Sequence, residues 1–310
     1  MAEKELFEQL DEILAGGQVG EPVPHELAML VVIASDLRGL PDPRFKQELK
    51  RRIFPMTTMT EVRKPAGFGT ITPYLVGREV PRLHAFLQQA FEAEVLASHA
   101  RPDGSIMHSE VRIGDSILEI GQSENDADSR QSELHLYVAD ADAAYARAIA
   151  AGARSLSEPR DQPYGDREAG VVDPIGNYWY IATHGAQVRP EGLRSVTPFL
   201  HARGAGALID FMKAAFDARE TSRDTDPHGT VQHAVVHVGD SAIEIGEAHG
   251  EYQPMPIGLH LFVDDVDGVY ERALRAGAKS DFAPSDAPYG QRVGGVIDQD
   301  GNRWFIAAML

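Results

Sequence analysis

Hydrophobic and polar residues alternate along several short segments of the chain, which is the pattern of a β-strand with one buried and one solvent-facing side. In the segment that ends at Ile113, Val111 and Ile113 share one face, while His108 and Arg112 share the other. In the segment that begins at Glu133, leucines alternate with glutamate, histidine and tyrosine. We therefore expect sheets with an apolar face under helices and a polar, concave face that forms a cup.

Helical periodicity lies between the predicted strands. Residues 80–92 and 141–151 carry apolar side chains at helical spacing, and Gly152 suits the left-handed position that follows a helix. The predicted order is a strand, a helix and three strands, followed by the same order again, which makes paired βαβββ units. The predicted strands lie near 71–76, 95–100, 106–113 and 116–121 in the first unit, and near 133–139, 154–156, 169–173 and 178–183 in the second.

The whole pattern then occurs a second time. Thr72-Pro73-Tyr74-Leu75 recurs as Thr197-Pro198-Phe199-Leu200, and Gly114-Asp115-Ser116 recurs as Gly239-Asp240-Ser241. The members of each pair lie 125 positions apart, so the copies align without a gap. A period of this length indicates duplicated domains, because the units of a solenoid have about 20–50 residues. The linker from Gly185 to Arg194 is short, and we expect the copies to pack as an intramolecular pseudo-dimer.

These boundaries divide the chain into four parts. We expect an N-terminal helical segment over residues 1–54, a linker over 55–70, and domains over 71–184 and 196–310. Prolines separate the runs of helical periodicity in the N-terminal segment, and a protein partner for these helices is one hypothesis for its role. The predicted fold class is α+β, with a duplicated domain after a short helical extension.

The composition narrows the function. The formal net charge is −18, and an acidic surface repels a phosphate backbone, so we expect no nucleic-acid partner. The chain has no cysteine, which excludes disulfides, thiolate metal ligands and a cysteine nucleophile. No apolar stretch is long enough to cross a bilayer and no secretory signal is visible, so we expect no membrane partner and a cytoplasmic location.

Several motifs follow one another in a fixed order in the first copy, and the second copy repeats them. They are Gly-Ser-Ile-Met-His (104–108), Arg-Ile-Gly-Asp-Ser (112–116), Leu-His-Leu-Tyr-Val (134–138), Tyr-Gly-Asp-Arg (164–167) and Asp-Pro-Ile-Gly-Asn-Tyr-Trp (173–179). In this order they resemble the vicinal oxygen chelate superfamily of glyoxalases, bleomycin resistance proteins and dioxygenases, and within it the PhnB-like branch. The resemblance implies that the duplicated, glyoxalase-like domain folds into curved sheets with polar cups.

The resemblance also suggests where a metal would bind. Metal-dependent members of the superfamily hold a divalent cation through histidines and glutamates on four strands of the cup. Carried over to this chain, the first-strand positions are Thr72 and Thr197, the fourth-strand positions are Glu119 and Glu244, the fifth-strand positions fall at or near Glu133 and Gly258, and the last-strand positions are Tyr180 and Phe305. Only one ligand of each expected set survives, so the usual metal site is expected to be absent and no cofactor is expected.

The leading hypothesis is a small-molecule binding protein of the bleomycin-resistance type, with an organic ligand held in the cups. We expect one cup to be lined by His108, Glu119, His135 and Tyr180, and the other by His233, Glu244 and His260. Further candidate ligand-binding residues are Arg112, Glu133, Arg167, His237, Arg292 and Phe305. Arg167 and Arg292 follow Tyr-Gly turns, where each suits either an anionic ligand group or an ion pair with Asp173 or Asp298. Trp179 and Trp304 are expected to pack under a helix.

A second hypothesis is a divalent-metal-dependent lyase, isomerase or dioxygenase. Strand alternation places His233, His237, Glu244 and His260 of the second copy on the polar face. Three histidines with a carboxylate suit zinc, iron or nickel, whereas Arg112 at the matching place of the first copy repels a cation. A metal-free enzyme that uses a His–Glu pair for acid–base chemistry is an intermediate hypothesis. Otherwise the imidazole–carboxylate pairs order the cup by hydrogen bonding.

Overall fold

The computed structural model describes residues 62–123, 130–185, 189–190, 192–250 and 252–310. The predicted helices of residues 1–54 and the first part of the predicted linker lie outside these residues. No helix in the described residues is long and apolar enough to cross a membrane.

The described chain consists of four successive βαβββ units, as the alternation of polar and apolar residues predicts. The first unit contains β1 (Ile71–Gly77), α1 (Val80–Phe91), β2 (Glu94–Ala100), β3 (Ile106–Ile113) and β4 (Ser116–Gln122). The second contains β5 (Glu133–Tyr137), α2 (Ala141–Ala150), β6 (Arg154–Asp161), β7 (Asp166–Val172) and β8 (Tyr178–His184). The third contains β9 (Val196–Ala202), α3 (Ala205–Phe216), β10 (Arg219–Thr225), β11 (Val231–Val238) and β12 (Ser241–Glu247). The fourth contains β13 (Gly258–Phe262), α4 (Val266–Arg275), β14 (Lys279–Ala287), β15 (Gln291–Ile297) and β16 (Arg303–Met309).

The sequence pattern underestimates the length of one strand. It predicts a strand near 154–156, whereas β6 extends from Arg154 to Asp161. This strand lies at the edge of its sheet, pairs only with β7 through an irregular register and is largely exposed. An edge strand is polar on both faces and tolerates Pro159, so it lacks the alternation that identifies the inner strands.

The sixteen strands of the described residues form two eight-stranded sheets, and each sheet takes half of its strands from each copy. One sheet has the order β14-β15-β16-β13-β1-β4-β3-β2, and the other has the order β10-β11-β12-β9-β5-β8-β7-β6. The copies meet where β1 runs antiparallel to β13, with Thr72 opposite His260, and where β5 runs antiparallel to β9, with His135 opposite Thr197. The two copies therefore complete each other's sheets.

The helices, in contrast, pack within a copy. Helix α1 lies against α2, and α3 lies against α4. The Nε of Arg147 on α2 donates a hydrogen bond to the carbonyl oxygen of Ala90 at the end of α1 (3.1 Å), and Arg272 does the same to Ala215 (3.3 Å). These guanidinium groups satisfy carbonyls that a helix leaves unpaired at its C-terminus. Each copy is thus held together by helices, while its strands are shared between the sheets.

The repeated Gly-Asp-Ser turns join the two sheets. The carboxylate of Asp115 accepts a hydrogen bond from the backbone N–H of Ser195 (2.8 Å), and Asp240 accepts one from Thr70 (2.7 Å). Gly114 has a φ of 57°, and a Cβ there would lie 2.3 Å from the hydroxyl oxygen of Ser195. Glycine is required at this position because the backbone is left-handed and the neighbouring strand approaches closely.

A buried aspartate organises the turn before β8 and, by repetition, the turn before β16. One carboxylate oxygen of Asp173 accepts hydrogen bonds from the backbone N–H groups of Ile175, Gly176 and Asn177, while the other accepts from the side chains of Asn177 and Trp179. Trp179 is fully buried against Phe91 of α1, with ring centroids 5.0 Å apart, which confirms that this tryptophan packs under a helix. Asp298 and Trp304 repeat the arrangement, with Phe216 of α3 as the packing partner.

Candidate functional site

The polar faces of the two sheets form two cups. Cup 1 is the polar face of the sheet that contains β1–β4 and β13–β16, and cup 2 is that of the sheet that contains β5–β12. The expectation that the candidate residues of each copy line a cup of their own is wrong, because the copies exchange half of their strands. Cup 1 brings together His108, Glu119, His260 and Phe305, whereas cup 2 brings together Glu133, His135, Tyr180, His233 and Glu244.

Cup 2 surrounds a cavity of about 720 Å³. Side chains of seven strands line it, together with residues of three loops, among them Tyr164, Leu193 and Tyr252. Sites for small organic molecules commonly have volumes of about 300–1,000 Å³ and combine apolar walls with a few convergent polar groups. The cavity therefore has the size and shape of a ligand site.

Glu244 lies at the floor of cup 2 and is 2 % exposed. Its Oε2 accepts a hydrogen bond from Nδ1 of His135 (3.0 Å), and its Oε1 accepts one from Nε2 of His233 (3.1 Å) and one from the Tyr137 hydroxyl (3.3 Å). Burial raises the pKa of Glu244, but His135 and His233 outweigh burial and lower that pKa to about 2. Glu244 is therefore an ionised carboxylate at the centre of a hydrogen-bond network.

His135 lies between two carboxylates. Its Nδ1 bonds to Glu244, and its Nε2 lies 3.4 Å from an oxygen of Glu168 on β7. Burial lowers the pKa of His135, but the charges of Glu244 and Glu168 outweigh burial and raise that pKa to about 10. At neutral pH the ring is an imidazolium that carries a positive charge at the floor of the cup.

Two further histidines of cup 2 pair with buried carboxylates. Nδ1 of His201 on β9 lies 2.8 Å from Oε2 of Glu133, and Nδ1 of His184 on β8 bonds to Asp166. The carboxylates are buried, whereas the imidazole of His184 is about one-third exposed at the cavity. A carboxylate behind an imidazole fixes the orientation of the ring.

Aromatic rings cover the central strands of cup 2. The ring centroids of Phe199 and His201 on β9 lie 4.6 Å apart, and His201 stacks on Tyr252 at 5.0 Å. Tyr180 on β8 lies 6.3 Å from Phe199 and 6.4 Å from Tyr252. These four side chains, which we call the aromatic wall, offer ring faces and ring edges to a ligand with a ring or an apolar body.

Cup 1 retains the central His–Glu pair in less polar surroundings. Nδ1 of His260 lies 2.7 Å from Oε2 of Glu119, and Nε2 of His108 lies 3.7 Å from Oε1 of the same carboxylate. Burial and the charge of Glu119 raise the pKa of Tyr74 to about 12, so this phenol remains neutral. The residues that pack nearby are mostly apolar and include Phe68, Ile117, Phe262, Val293 and Phe305.

Four polar positions of cup 2 are apolar or lack a side chain in cup 1. Cup 2 has Glu168, Tyr137, Tyr180 and Glu133 where cup 1 has Val293, Phe262, Phe305 and Gly258. At Gly258 a Cβ would lie 2.6 Å from the backbone oxygen of Tyr74, so cup 1 has no room for a side chain there. The two cups therefore differ in chemistry although they share a fold.

Two predicted ligand-binding arginines lie outside the cups. Arg167 bonds through two guanidinium nitrogens to Asp142 on α2 (2.6 and 2.7 Å) and also pairs with Asp161. Arg292 repeats this arrangement with Asp267 and Asp286. The expectation that these arginines form ion pairs with Asp173 or Asp298 is wrong, because those two carboxylates are buried within their own turns. The guanidinium groups fasten a strand to a helix.

Arg112 and His237 occupy matching places near the open edges of the sheets. Arg112 is exposed and forms an ion pair with Glu94 on β2. His237 lies opposite Arg219 on β10, and burial together with this arginine lowers the pKa of His237. Neither residue takes part in the networks around Glu119 and Glu244.

Several residues of cup 2 were missed by sequence reasoning. They are Tyr137, Tyr164, Asp166, Glu168, His184, Phe199, His201, Asp224, His249 and Tyr252. One signal for part of this set was present: several of these positions differ in polarity from their counterparts 125 residues away, for example Glu168 from Val293 and His201 from Val76. The difference becomes informative only when the pairing of β5 with β9 is known.

The placement of the donors bears on the metal hypothesis. His233 and Glu244 meet in cup 2, but His260 belongs to cup 1 and His237 lies near the sheet edge, so the four-ligand set proposed from the sequence is wrong. Among the described residues, no group of three or more histidine or acidic side chains is arranged to hold a metal ion.

The fifth-strand position also requires a correction. His135 aligns with Thr197 and Tyr180 across the sheet, and His260 aligns with Thr72 and Phe305, so histidine occupies this position in both cups. At the positions that correspond to the family's metal ligands, each cup thus presents one hydrogen-bonded His–Glu pair, together with a threonine and an aromatic ring. These residues do not fit the four-donor site of metal-dependent relatives.

Relatives and solved structures support the fold. An uncharacterized protein of Mycobacterium tuberculosis (strain H37Rv) is 32 % identical over 123 residues, which cover 36 % of this chain and 72 % of that protein. Glyoxalase I from Zea mays is 14 % identical, with a TM-score of 0.60 over 77 % of this chain and 92 % of its own. A putative dioxygenase from Bacillus subtilis is 10 % identical, with a TM-score of 0.50 over 77 % of this chain and 84 % of its own.

A family model decides the classification. The model of the Glyoxalase/Bleomycin resistance protein/Dioxygenase superfamily matches residues 68–181 and 200–306, and these two matches span both copies. The finer assignment to the PhnB-like branch stays a prediction from the motifs. The chain belongs to the Glyoxalase/Bleomycin resistance protein/Dioxygenase superfamily.

Proposed function

We propose that the protein binds a small organic molecule in cup 2 and that this binding requires no metal ion. The cavity of about 720 Å³ carries the proposal, because it places an aromatic wall beside a hydrogen-bonded floor. The polar groups converge on one space, as they do in sites that orient a ligand. Stacking on the wall would supply affinity, and the floor would supply orientation.

The pairing within the floor supports binding without a cofactor. Both oxygens of Glu244 and both ring nitrogens of His135 already face charged or hydrogen-bonding partners within the protein. A network of hydrogen bonds and ion pairs of this kind restrains its side chains before a ligand arrives. A preformed site lowers the entropic cost of binding.

The experiment is a binding screen with the full-length protein. Glycopeptide drugs and aromatic metabolites are offered by equilibrium dialysis, and the bound compounds are identified by mass spectrometry and titrated by calorimetry. We expect saturable binding of at least one compound, which is recovered unchanged. The absence of saturable binding, or recovery of a converted product, would contradict a binding function.

A matched pair of variants locates the ligand. Tyr164 lines cup 2 and Tyr289 is its counterpart on the loop beside cup 1; both side chains are exposed, so neither substitution removes a core contact. Tyr164→Ala is expected to weaken binding, whereas Tyr289→Ala leaves it unchanged. Weaker binding in Tyr289→Ala with unchanged binding in Tyr164→Ala would show that the ligand lies in cup 1.

A second candidate function is metal-free acid–base chemistry on the bound molecule. The observation that favours it is the His184–Asp166 pair, in which a buried carboxylate orients an imidazole that faces the cavity. A ligand found in the screen is incubated with the protein in deuterated water and examined for deuterium uptake. Uptake that disappears in His184→Gln, with binding retained, would favour the enzyme.

A further inference from the structure

Acidic side chains are in excess around the cavity of cup 2. Asp166, Glu168, Asp224 and Glu244 line it, and none of the described lining residues is a lysine or an arginine. Five histidines line the cavity as well; the imidazolium of His135 offsets one of these negative charges, and a neutral imidazole offsets none. Because a concave site with low-dielectric walls focuses the field of its charges, the remaining carboxylates give the cavity a negative potential.

The hydroxyl groups of the cavity lie within the field of these carboxylates. Burial is the largest cause that raises the pKa values of Tyr137, Tyr164 and Tyr180, and the charges of neighbouring carboxylates raise them further. All three tyrosines are therefore neutral hydrogen-bond donors. They add polarity to cup 2 without changing its net charge.

Cup 1 shows that the fold does not require these charges. Glutamine (Gln291) and valine (Val293) occupy the positions in cup 1 that Asp166 and Glu168 occupy in cup 2. Where cup 2 pairs Asp166 with a histidine across two strands, cup 1 pairs Gln291 with a methionine, with 3.7 Å between nitrogen and sulfur. These two acidic residues are therefore specific to cup 2 and are not needed for the fold.

The acidic groups flank the aromatic wall. Phe199 and Tyr180 lie on the central strands β9 and β8, while Glu244 lies on β12 beside β9 and Glu168 lies on β7 beside β8. A cation placed over an aromatic face and close to a carboxylate is attracted by both groups. An anion at the same place would be repelled by the carboxylates.

We propose that the ligand of cup 2 is an organic cation, in which a protonated or quaternary amine is joined to a planar or apolar body. This inference rests on the proposed binding function and specifies its ligand class. The cationic group lies among the carboxylates of β7 and β12, and the apolar body lies on the aromatic wall. Cup 1 does not share this preference.

The test compares three probes that share a naphthyl ring and carry a small substituent of positive, zero or negative charge. Full-length protein is titrated with 2-naphthylmethylammonium, 2-naphthalenemethanol and 2-naphthoate by calorimetry. We expect the cation to bind at least about tenfold more tightly than the alcohol, and the anion to bind most weakly. Raising the ionic strength is expected to weaken the binding of the cation and not that of the alcohol, because salt screens a charge attraction and leaves stacking unchanged.

Two double variants separate the charges of the site from the overall charge of the protein. Asp166→Gln with Glu168→Val gives cup 2 the residues of cup 1, and is expected to remove the preference for the cation while the alcohol still binds. Glu158→Val with Asp161→Gln makes the same changes at exposed positions of the neighbouring strand β6, and is expected to keep the preference. If the first double variant does not fold, the ionic-strength series on the unchanged protein decides whether the cation is held by charge attraction.

Each result has a definite meaning. Equal binding of the cation and the alcohol overturns the inference and leaves the proposed binding function intact. Failure of the cation to bind also overturns the inference, and the wider compound screen then decides separately whether cup 2 binds any molecule. A preference that survives the change at Asp166 and Glu168 places the cation elsewhere and overturns the inference as well.

Discussion

His135 and Glu244 lie 109 positions apart in the sequence and belong to different copies, yet Nδ1 of one donates a hydrogen bond of 3.0 Å to Oε2 of the other. This contact crosses the line where β5 meets β9 and fixes the floor of cup 2. The contact is an ion pair, because the histidine pKa is raised to about 10 and the glutamate pKa is lowered to about 2.

The first prediction concerns how stability depends on pH. A histidine with a raised pKa contributes its full stability below its ordinary pKa of 6.5 and loses it as the pH rises to about 10. A glutamate with a lowered pKa contributes above its ordinary pKa of 4.5 and loses stability as the pH falls to about 2. The His135–Glu244 pair is therefore expected to contribute most between pH 4.5 and 6.5.

The measurement is the free energy of unfolding from urea titrations at several pH values. His135→Gln is expected to lower the free energy of unfolding by about 3–5 kcal/mol near pH 6, because it leaves two carboxylates without their cation. The difference in unfolding free energy between this variant and the unchanged protein is expected to become smaller towards pH 10. His228→Gln removes an exposed histidine in a turn and serves as the control. A constant deficit for His135→Gln across the whole range would contradict the ion pair.

The second prediction concerns the turn around Asp173. Replacing this residue with alanine leaves the N–H groups of Ile175, Asn177 and Trp179 without their acceptor. Because each buried unpaired donor costs about 1–3 kcal/mol, we expect a loss of at least about 3 kcal/mol in unfolding free energy. Asp298→Ala is expected to behave alike, whereas Asp161→Ala, at an exposed position, should have little effect. Similar stabilities for all three variants would refute this role.

The third prediction concerns metal. At the positions that hold the metal in metal-dependent relatives, each cup has only a His–Glu pair beside a threonine and an aromatic ring. Ligand affinity in cup 2 is therefore expected to be the same before and after treatment with a chelator. Elemental analysis of untagged protein is expected to find substoichiometric transition metal. A stoichiometric metal that is lost in His135→Ala, together with a loss of ligand binding, would show that a metal is needed.

The fourth prediction concerns Arg167 and Arg292. Their guanidinium groups face Asp142 and Asp267 on helices, away from the cavity of cup 2. Arg167→Ala is therefore expected to leave the dissociation constant of a cup 2 ligand unchanged, and Arg292→Ala should match it. A selective loss of affinity for anionic ligands in Arg167→Ala would restore the role that the sequence suggested.

The alternation and the repeat allowed much of the fold to be predicted. His108, Glu119, His135, His233, Glu244 and His260 all take part in the polar networks of the cups, because residues two apart on a strand share a face wherever that strand lies. The edge strand β6 was predicted too short, because an exposed edge lacks alternation. Arg167 was misplaced, because a long side chain on a strand end reaches whichever carboxylate the tertiary structure brings near.

The sequence by itself determined the duplicated α+β architecture and the polar faces of its strands, since alternation and exact repetition are local properties of the chain. Only the tertiary structure decided which strands share a sheet. The turns join the two copies so that β1 pairs with β13 and β5 pairs with β9, and this pairing separates His260 from Glu244. A cup therefore takes half of its side chains from each copy, and its chemistry depends on contacts more than one hundred residues apart, which no local pattern records.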